Sequence, residues 1–226
     1  MAAFEINALD YIMKPVNRAR FEKMVQRLQN ELSVRTTESS GFLTIHCFGT
    51  FEVLQNGVPV IWQRTKAEEL FAFLVMNANT YVDKDLILTN LWPYYERAKS
   101  LTVLQASVCK IRNILSNCTD LARLSYADSK YGLFLGPGVD CDYSTVKNAV
   151  GQFKADDRQT YQPIKDACIL VQKGLMQQTR YSWSGDYEAN LQHDLANCVQ
   201  KMANAMPEEK DAAVVLLSRL SHTGNT

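Results

Sequence analysis

The chain has 226 residues, of which 46% are hydrophobic and 21% are charged, a composition typical of globular proteins. No apolar run reaches the roughly 18 residues that a membrane span needs, and five charged residues among the first twenty exclude a secretory signal core. The sequence therefore predicts a cytoplasmic location and no membrane partner. Basic and acidic residues both total 24, and this zero net charge by itself disfavours a nucleic-acid partner.

The six cysteines are scattered along the chain, with no Cys-x-x-Cys pair and no histidine at metal-ligand spacing. This pattern argues against zinc and against a disulfide framework. His46 and Cys47 are sequence neighbours, which a strand would point to opposite sides, so a thiol–imidazole catalytic pair is not expected. The sequence predicts no enzyme, no metal and no cofactor. A cysteine-dependent enzyme is kept as an alternative that would need a spatial His partner and a low thiol pKa.

Residues 1–33 have the pattern of a helix, a strand and a second helix. The apolar run at 9–13 ends at Lys14 and Pro15, and Asn17 is placed to cap the helix that follows. Three such elements cannot bury a core by themselves. We therefore expect further elements upstream of them.

The residues Ala-Leu-Asp-Tyr-Ile-Met-Lys-Pro-Val at 8–16 resemble the end of a two-component receiver domain. The resemblance implies that Lys14 contacts an aspartyl phosphate, that the bond to Pro15 is cis, and that Tyr11 reports activation. The family's phosphoryl-accepting aspartate lies in earlier strands, which these residues do not include. A histidine kinase is therefore expected as a partner only where an intact receiver is present. The alternative is a Lys-Pro pair that merely ends a strand.

Residues 34–41 are polar and small and lack periodicity, which predicts a linker. The chain then alternates as short strands, with Leu43, Ile45 and Cys47 on one side and a hairpin turn at Asn56-Gly57. Three helices are predicted next, listed here by their bounds: Thr65–Asn77, a helix capped by Asp83 and stopped by Pro93, and Ala98–Ser116. The second of them carries Leu86, Ile87, Leu91 and Trp92 as its apolar residues. A turn at 127–129 and a strand at 130–135 complete the segment.

This order of elements over 42–140 resembles the winged helix of response-regulator output domains. Particular motifs strengthen the resemblance: Phe48–Val53, Thr65–Ala67, Leu86 with Leu91–Trp92, Lys110–Arg112 and Tyr131–Leu133. Together they look like the DNA-binding domain of the Streptomyces antibiotic regulatory protein (SARP) type, which is similar to the OmpR/PhoB group. The resemblance also implies that the segment Pro93–Arg97 meets RNA polymerase.

The third helix has one apolar stripe, formed by Leu101, Leu104, Val108, Ile111 and Leu115. Its opposite face offers side chains suited to base edges in a major groove, namely Thr102, Gln105, Ala106, Cys109, Lys110 and Asn113. The candidates for phosphate contacts are Arg64, Lys66, Arg97, Lys99, Arg112 and Lys130. The alternative for this face is an ordinary solvated helix surface.

Residues 141–226 have a helical pattern and resemble a short bacterial transcriptional activator domain built from TPR-like helix pairs. Four helices are predicted, at 143–153, 160–176, 187–205 and 208–220. Trp183 and Tyr187 fit packing positions between helices rather than a ligand site. The array ends after about two helix pairs. It is interpreted either as shortened or as ending in a surface that binds another protein.

The sequence thus predicts an α+β multi-domain chain: a helix–strand–helix remnant of an α/β receiver (1–33), a linker (34–41), a winged helix-turn-helix (42–140) and an all-α TPR-like domain (141–226). The predicted function is sequence-specific regulation of transcription within a two-component phosphorelay. Double-stranded DNA is the predicted partner, with self-association on repeated half-sites and RNA polymerase as further partners. The alternative is a protein-interaction adaptor that keeps these folds without productive DNA binding.

Overall fold

A computed structural model describes residues 42–222 except 64, 117 and 180. The described residues belong to one compact unit that begins at Gly41. The predicted receiver remnant with Tyr11, Lys14 and Pro15, the linker at 34–41 and the phosphate-contact candidate Arg64 lie outside the described residues. None of the helices within the described ranges has the length and apolar character needed to cross a membrane.

The described chain is a mixture of strands and helices. The strands are Leu43–His46 (β1), Glu52–Gln55 (β2), Val58–Pro59 (β3), Tyr81–Asp83 (β4), Ala122–Ala127 (β5), Lys130–Leu135 (β6) and Val139–Cys141 (β7). The α-helices are Thr65–Met76 (α1), Lys84–Leu91 (α2), Arg97–Leu115 (α3), Asp142–Gln152 (α4), Tyr161–Leu170 (α5), Ser184–Ala205 (α6) and Lys210–His222 (α7). Short 3-10 turns occupy Arg158–Thr160, Val171–Lys173 and Pro207–Glu209.

The first sheet has the strand order β3-β2-β1-β7. The predicted hairpin turn is confirmed: Asn56 and Gly57 have φ angles of 54° and 77°, and β2 and β3 pair antiparallel on either side of them. The strand β7 pairs parallel to β1, with Leu43 opposite Val139. A parallel pair needs a long crossover, and here every element from β2 to β6 forms that crossover. The residues Val139–Cys141 are therefore part of the first sheet.

The helix α1 is buried on almost every side. The sequence predicts one inward face containing Leu70 and Leu74, and both are buried. Phe73 is buried as well, because its ring meets the edge of the Trp183 indole at a centroid distance of 5.2 Å. Tyr187 adds a hydrogen bond beside this aromatic contact: its hydroxyl accepts from the side-chain amide of Asn77 at 2.8 Å. The helix therefore packs against two layers at once.

The helix α2 begins as predicted. The carboxylate of Asp83 accepts a hydrogen bond from the N–H of Asp85 at 2.8 Å, which satisfies one of the first free amides of the helix. Leu86, predicted among the apolar residues of this helix, is 52% exposed. Ile87 and Leu91 are four residues apart and take the inward positions, which turns Leu86 to the side.

The helix α3 packs its apolar stripe against α1 and is followed by a β-hairpin. Leu104, Val108, Ile111 and Leu115 are buried, and Leu101 is partly buried in the first turn. The hairpin β5–β6 reverses at Asp128 and Ser129, with positive φ angles of 48° and 63°. The strand β4 pairs with the outer side of β6, so the second sheet has the order β4-β6-β5. This pairing ties the hairpin to the start of α2.

The C-terminal segment contains the four predicted helices with changed bounds. The helix predicted at 160–176 ends at Leu170, and a 3-10 turn leads to Gly174, whose φ of 72° suits a residue without a Cβ. Helical spacing predicts one apolar face on α6, and its five members are all buried: Leu191, Leu195, Cys198, Val199 and Met202.

Burial in α3 leads to a prediction of stability. Ile111→Ala removes a fully buried side chain, so we expect a loss of about 2–5 kcal/mol in the free energy of unfolding. Asn113→Ala, on the exposed face of the same helix, should change it by less than about 0.5 kcal/mol. Urea unfolding of both variants measures the difference. Equal losses would contradict the assignment of the two faces.

Candidate nucleic-acid interface

The polar face of α3 is accessible. Of the residues predicted to read base edges, Thr102, Gln105, Cys109 and Asn113 are exposed, whereas Ala106 and Lys110 are half-buried. The face is polar because the core stripe lies on the opposite side, at helical spacing. An exposed helix face of this width is compatible with insertion into a major groove.

Lys110 is held at the border of this face. Its Nζ donates a hydrogen bond to Oε1 of Gln63 at 3.3 Å, and Gln63 lies just before α1. Lys110 therefore marks the edge where the loop before α1 approaches α3. Thr102 is restrained in another way, since its hydroxyl donates to the carbonyl of Ala98 at 3.0 Å.

Two phosphate-contact candidates form ion pairs within the chain. Lys66 lies 2.7 Å from Oε2 of Glu69, a buried carboxylate that also accepts a hydrogen bond from the indole of Trp92. Removing Lys66 would leave a buried charge uncompensated, so this lysine has a structural role in any case. Arg97 pairs with Asp85 at 2.9 Å, with both side chains more than half exposed. Such a surface pair contributes little and can be exchanged for another anion.

The other candidates are differently placed. Lys99 is exposed, with its Nζ 4.6 Å from the centre of the Tyr95 ring. Arg112 is exposed on α3, and Lys130 is exposed where β6 leaves the hairpin turn. Within the described ranges, no carboxylate forms an ion pair with these three side chains. Among the phosphate-contact candidates within the described ranges, they are the ones most available to an anionic ligand.

Electrostatic coupling links α3 to the hairpin. Burial raises the pKa of Tyr131 in β6, the neighbouring Tyr126 raises it further, and the positive charge of Arg112 opposes both effects. Arg112 is therefore close enough to the hairpin for its positive charge to lower the pKa of Tyr131. Tyr126 is half exposed and its ring lies 4.7 Å from that of Tyr131. Sequence reasoning missed this aromatic pair, whose signal was the tyrosines on either side of the predicted turn.

The connection between α2 and α3 contains the segment predicted to meet RNA polymerase. Tyr94 within it is 97% exposed, while the preceding Trp92 is buried. The buried indole anchors the start of the connection. Pro93 prevents the helix α2 from continuing, and Tyr94, which follows it, lies on the surface.

A cluster of cysteines forms away from α3. Cys47, Cys141 and Asp142 bring their ligand atoms within 4.8 Å of one another. Burial raises the pKa of Cys47 well above its ordinary value, whereas the hydrogen bond from Cys47 lowers the pKa of Cys141. His46 is exposed and Cys47 buried, as predicted for neighbours on a strand. Cys47 is ninety-four positions from Cys141 in the sequence, and this separation concealed the cluster.

Comparisons with known proteins support the fold. No protein-family model matches the sequence, and no curated protein matches it. A solved structure with a similar fold is Mycobacterium tuberculosis EmbR in complex with a low affinity phosphopeptide. The TM-score is 0.57 and the identity 17%, over 81% of this chain and 55% of that chain. The chain thus spans about half the length of that EmbR chain, and its fold is similar to that of EmbR.

Exposure of the thiols generates a prediction. Cys109 is exposed and the other five cysteines are buried; burial raises the pKa of Cys168 to about 12, which lowers its reactive thiolate fraction. An aromatic disulfide reagent should therefore modify one thiol rapidly in the folded chain and all six after unfolding. The Cys109→Ser variant should lose the rapid phase. A rapid phase that persists in this variant would show that a buried thiol is activated.

Proposed function

We propose that the chain is a sequence-specific DNA-binding regulator of transcription, the output part of a two-component phosphorelay regulator of the SARP type. In this proposal residues 42–140 act as a winged helix, with α3 in the major groove and the hairpin β5–β6 as the wing. The observation that carries it is the exposed polar face of α3 beside a hairpin with an exposed lysine at its turn. Residues 141–226 act as a TPR-like domain for protein contacts in the cytoplasm.

Local charge supports the proposal. Between Ala98 and Val139 there are five basic and two acidic residues, an excess of three positive charges in a chain whose total is zero. Phosphate contacts supply most of the affinity of DNA-binding proteins and carry no sequence information. We assign this part to Lys99, Arg112 and Lys130, with Arg97 joining them when its pair with Asp85 opens.

In this proposal, side chains in the middle of α3 contact the base edges and so read the DNA sequence. Gln105 and Asn113 have amides that can bond adenine edges, and Lys110 can reach guanine. Thr102, Ala106 and Cys109 supply small apolar or weakly polar surfaces toward thymine methyl groups. The exposed Tyr94 segment is left to contact RNA polymerase, in keeping with the family resemblance.

A second candidate function is supported by the ion pairs. Lys66 and Arg97 already pair with carboxylates of the chain, and the net charge is zero. Both observations favour an adaptor that binds proteins and makes no productive contact with DNA. EmbR is described with a bound phosphopeptide, and the adaptor hypothesis extends a protein-binding role of that kind to this chain. Failure to bind any duplex at low salt would favour it.

Charge-removal variants test the DNA interface. We expect sequence-selective binding that weakens with salt. Lys110→Ala should lower discrimination between sites by about 1–3 kcal/mol, and Arg112→Ala should reduce the salt slope by about 1. The matched control Lys201→Ala with Arg219→Ala removes two exposed positive charges from α6 and α7 and should leave both quantities unchanged. Bound duplex should also slow modification of Cys109. Equal losses in the two α3 variants and in the control would point to nonspecific attraction.

The small excess of positive charge between Ala98 and Val139 leads to a prediction about the stoichiometry of DNA binding. One copy should bind a single half-site weakly at about 0.15 M salt, because few phosphates are neutralised. A duplex with two half-sites one helical turn apart should be bound about 100-fold more tightly, since the second contact becomes intramolecular in effect. Titrations by fluorescence anisotropy on one-site and two-site duplexes measure this. Tight binding to one half-site would refute the need for two copies.

A further inference from the structure

The buried cluster of Cys47, Cys141 and Asp142 joins the end of β1 to the junction of β7 and α4, which lies 95 positions further along the chain. Cys47 follows β1, Cys141 ends β7, and Asp142 is the first residue of α4. The thiols are 0% and 3% exposed, and the carboxylate side chain is 15% exposed. Two sulfurs and one carboxylate oxygen lie within 4.8 Å of one another and together form a possible set of metal donors.

We propose that Cys47, Cys141 and Asp142 bind one divalent zinc ion at the junction between the first sheet and α4. Thiolate and carboxylate ligands suit zinc, which takes four ligands in a tetrahedral arrangement. Binding displaces the two thiol protons to solvent, and no electron is transferred. This inference is independent of DNA binding, and it reverses the expectation from cysteine spacing that the chain holds no metal.

The surroundings already orient the ligands. Asp142 accepts hydrogen bonds from the backbone N–H groups of Cys47 at 2.8 Å and Phe48 at 3.3 Å. A carboxylate has about four lone-pair sites, so enough remain for a cation. Such hydrogen bonds to a ligand fix the direction of its donor atoms in metal sites.

The cluster has a route to solvent on its carboxylate side. His46 is 47% exposed, and its Nδ1 lies 4.0 Å from Oδ2 of Asp142. The cluster therefore lies nearest to solvent on the side of Asp142 and His46. Once bound, the ion would connect β1, β7 and α4, which sets how the helical segment leaves the sheet.

Cobalt is the probe for the test, because its thiolate complexes absorb in the near ultraviolet and visible. The full chain, reduced with a phosphine and stripped of metal, should take up one Co²⁺ with thiolate charge-transfer absorption, and Zn²⁺ should displace it. Cys47→Ser and Cys141→Ser should each weaken binding by at least about tenfold. The control Cys109→Ser, which alters the exposed thiol on α3, should bind as the unaltered chain does. Absorption that is missing, or unchanged in the two serine variants, would overturn the proposal.

A second measurement does not depend on the variants folding. X-ray absorption at the zinc edge of the unaltered chain should show two sulfur neighbours at about 2.3 Å with the remaining ligands oxygen or nitrogen. Zinc should also raise the melting temperature of the unaltered chain and of Cys109→Ser. A shell of oxygen and nitrogen alone would place zinc elsewhere and refute the site.

Discussion

Parallel pairing of β7 with β1 is the constraint on which the rest of the described chain depends. Hydrogen bonds between Leu43–Ile45 and Val139–Cys141 close a loop of nearly one hundred residues. Closing a loop of that length costs chain entropy, which other interactions must offset. Burial of Leu43 and Ile45 offsets that cost, since both side chains are fully enclosed. The pairing also determines the direction in which α4 begins.

Further hydrogen bonds join the chain after β1 to the helical segment. The N–H of Gly49 donates to the carbonyl of Gly174 at 2.7 Å, and the N–H of Met176 donates to the carbonyl of Cys47 at 2.8 Å. The aromatic contact of Phe73 with Trp183 lies on the same side of α1 as the hydrogen bond from Asn77. The helical segment thus shares a core with the strand and helix layers that precede it. A displacement of α6 would change the packing of α1 and, through α1, the packing of α3.

The same packing explains where function can reside. While α1 is enclosed, the outer face of α3, the hairpin β5–β6 and the connection around Tyr94 remain exposed. Basic side chains on that surface are few, and two of the six proposed for phosphate contact are engaged with carboxylates. Affinity for DNA would therefore depend on precise placement and on repeated sites more than on attraction at long range. This balance is also what makes the adaptor function a serious alternative.

Local pattern alone determined much of the architecture. Alternation of apolar residues predicted β1, the Asn-Gly pair predicted the first hairpin, and Asp83 predicted the start of α2, because each depends on neighbours a few residues apart. The buried stripe and exposed face of α3 follow from helical spacing in the same way.

Only the tertiary structure decided the features that depend on distant residues. It enclosed Phe73 with Trp183, left Leu86 on the surface, and added β7 to the first sheet. It also buried the carboxylate of Glu69 beside the indole of Trp92, and it brought Cys47 next to Cys141, ninety-four positions further along the chain. No spacing rule could reveal these contacts, because a parallel crossover joins residues whose separation is set by everything that folds between them.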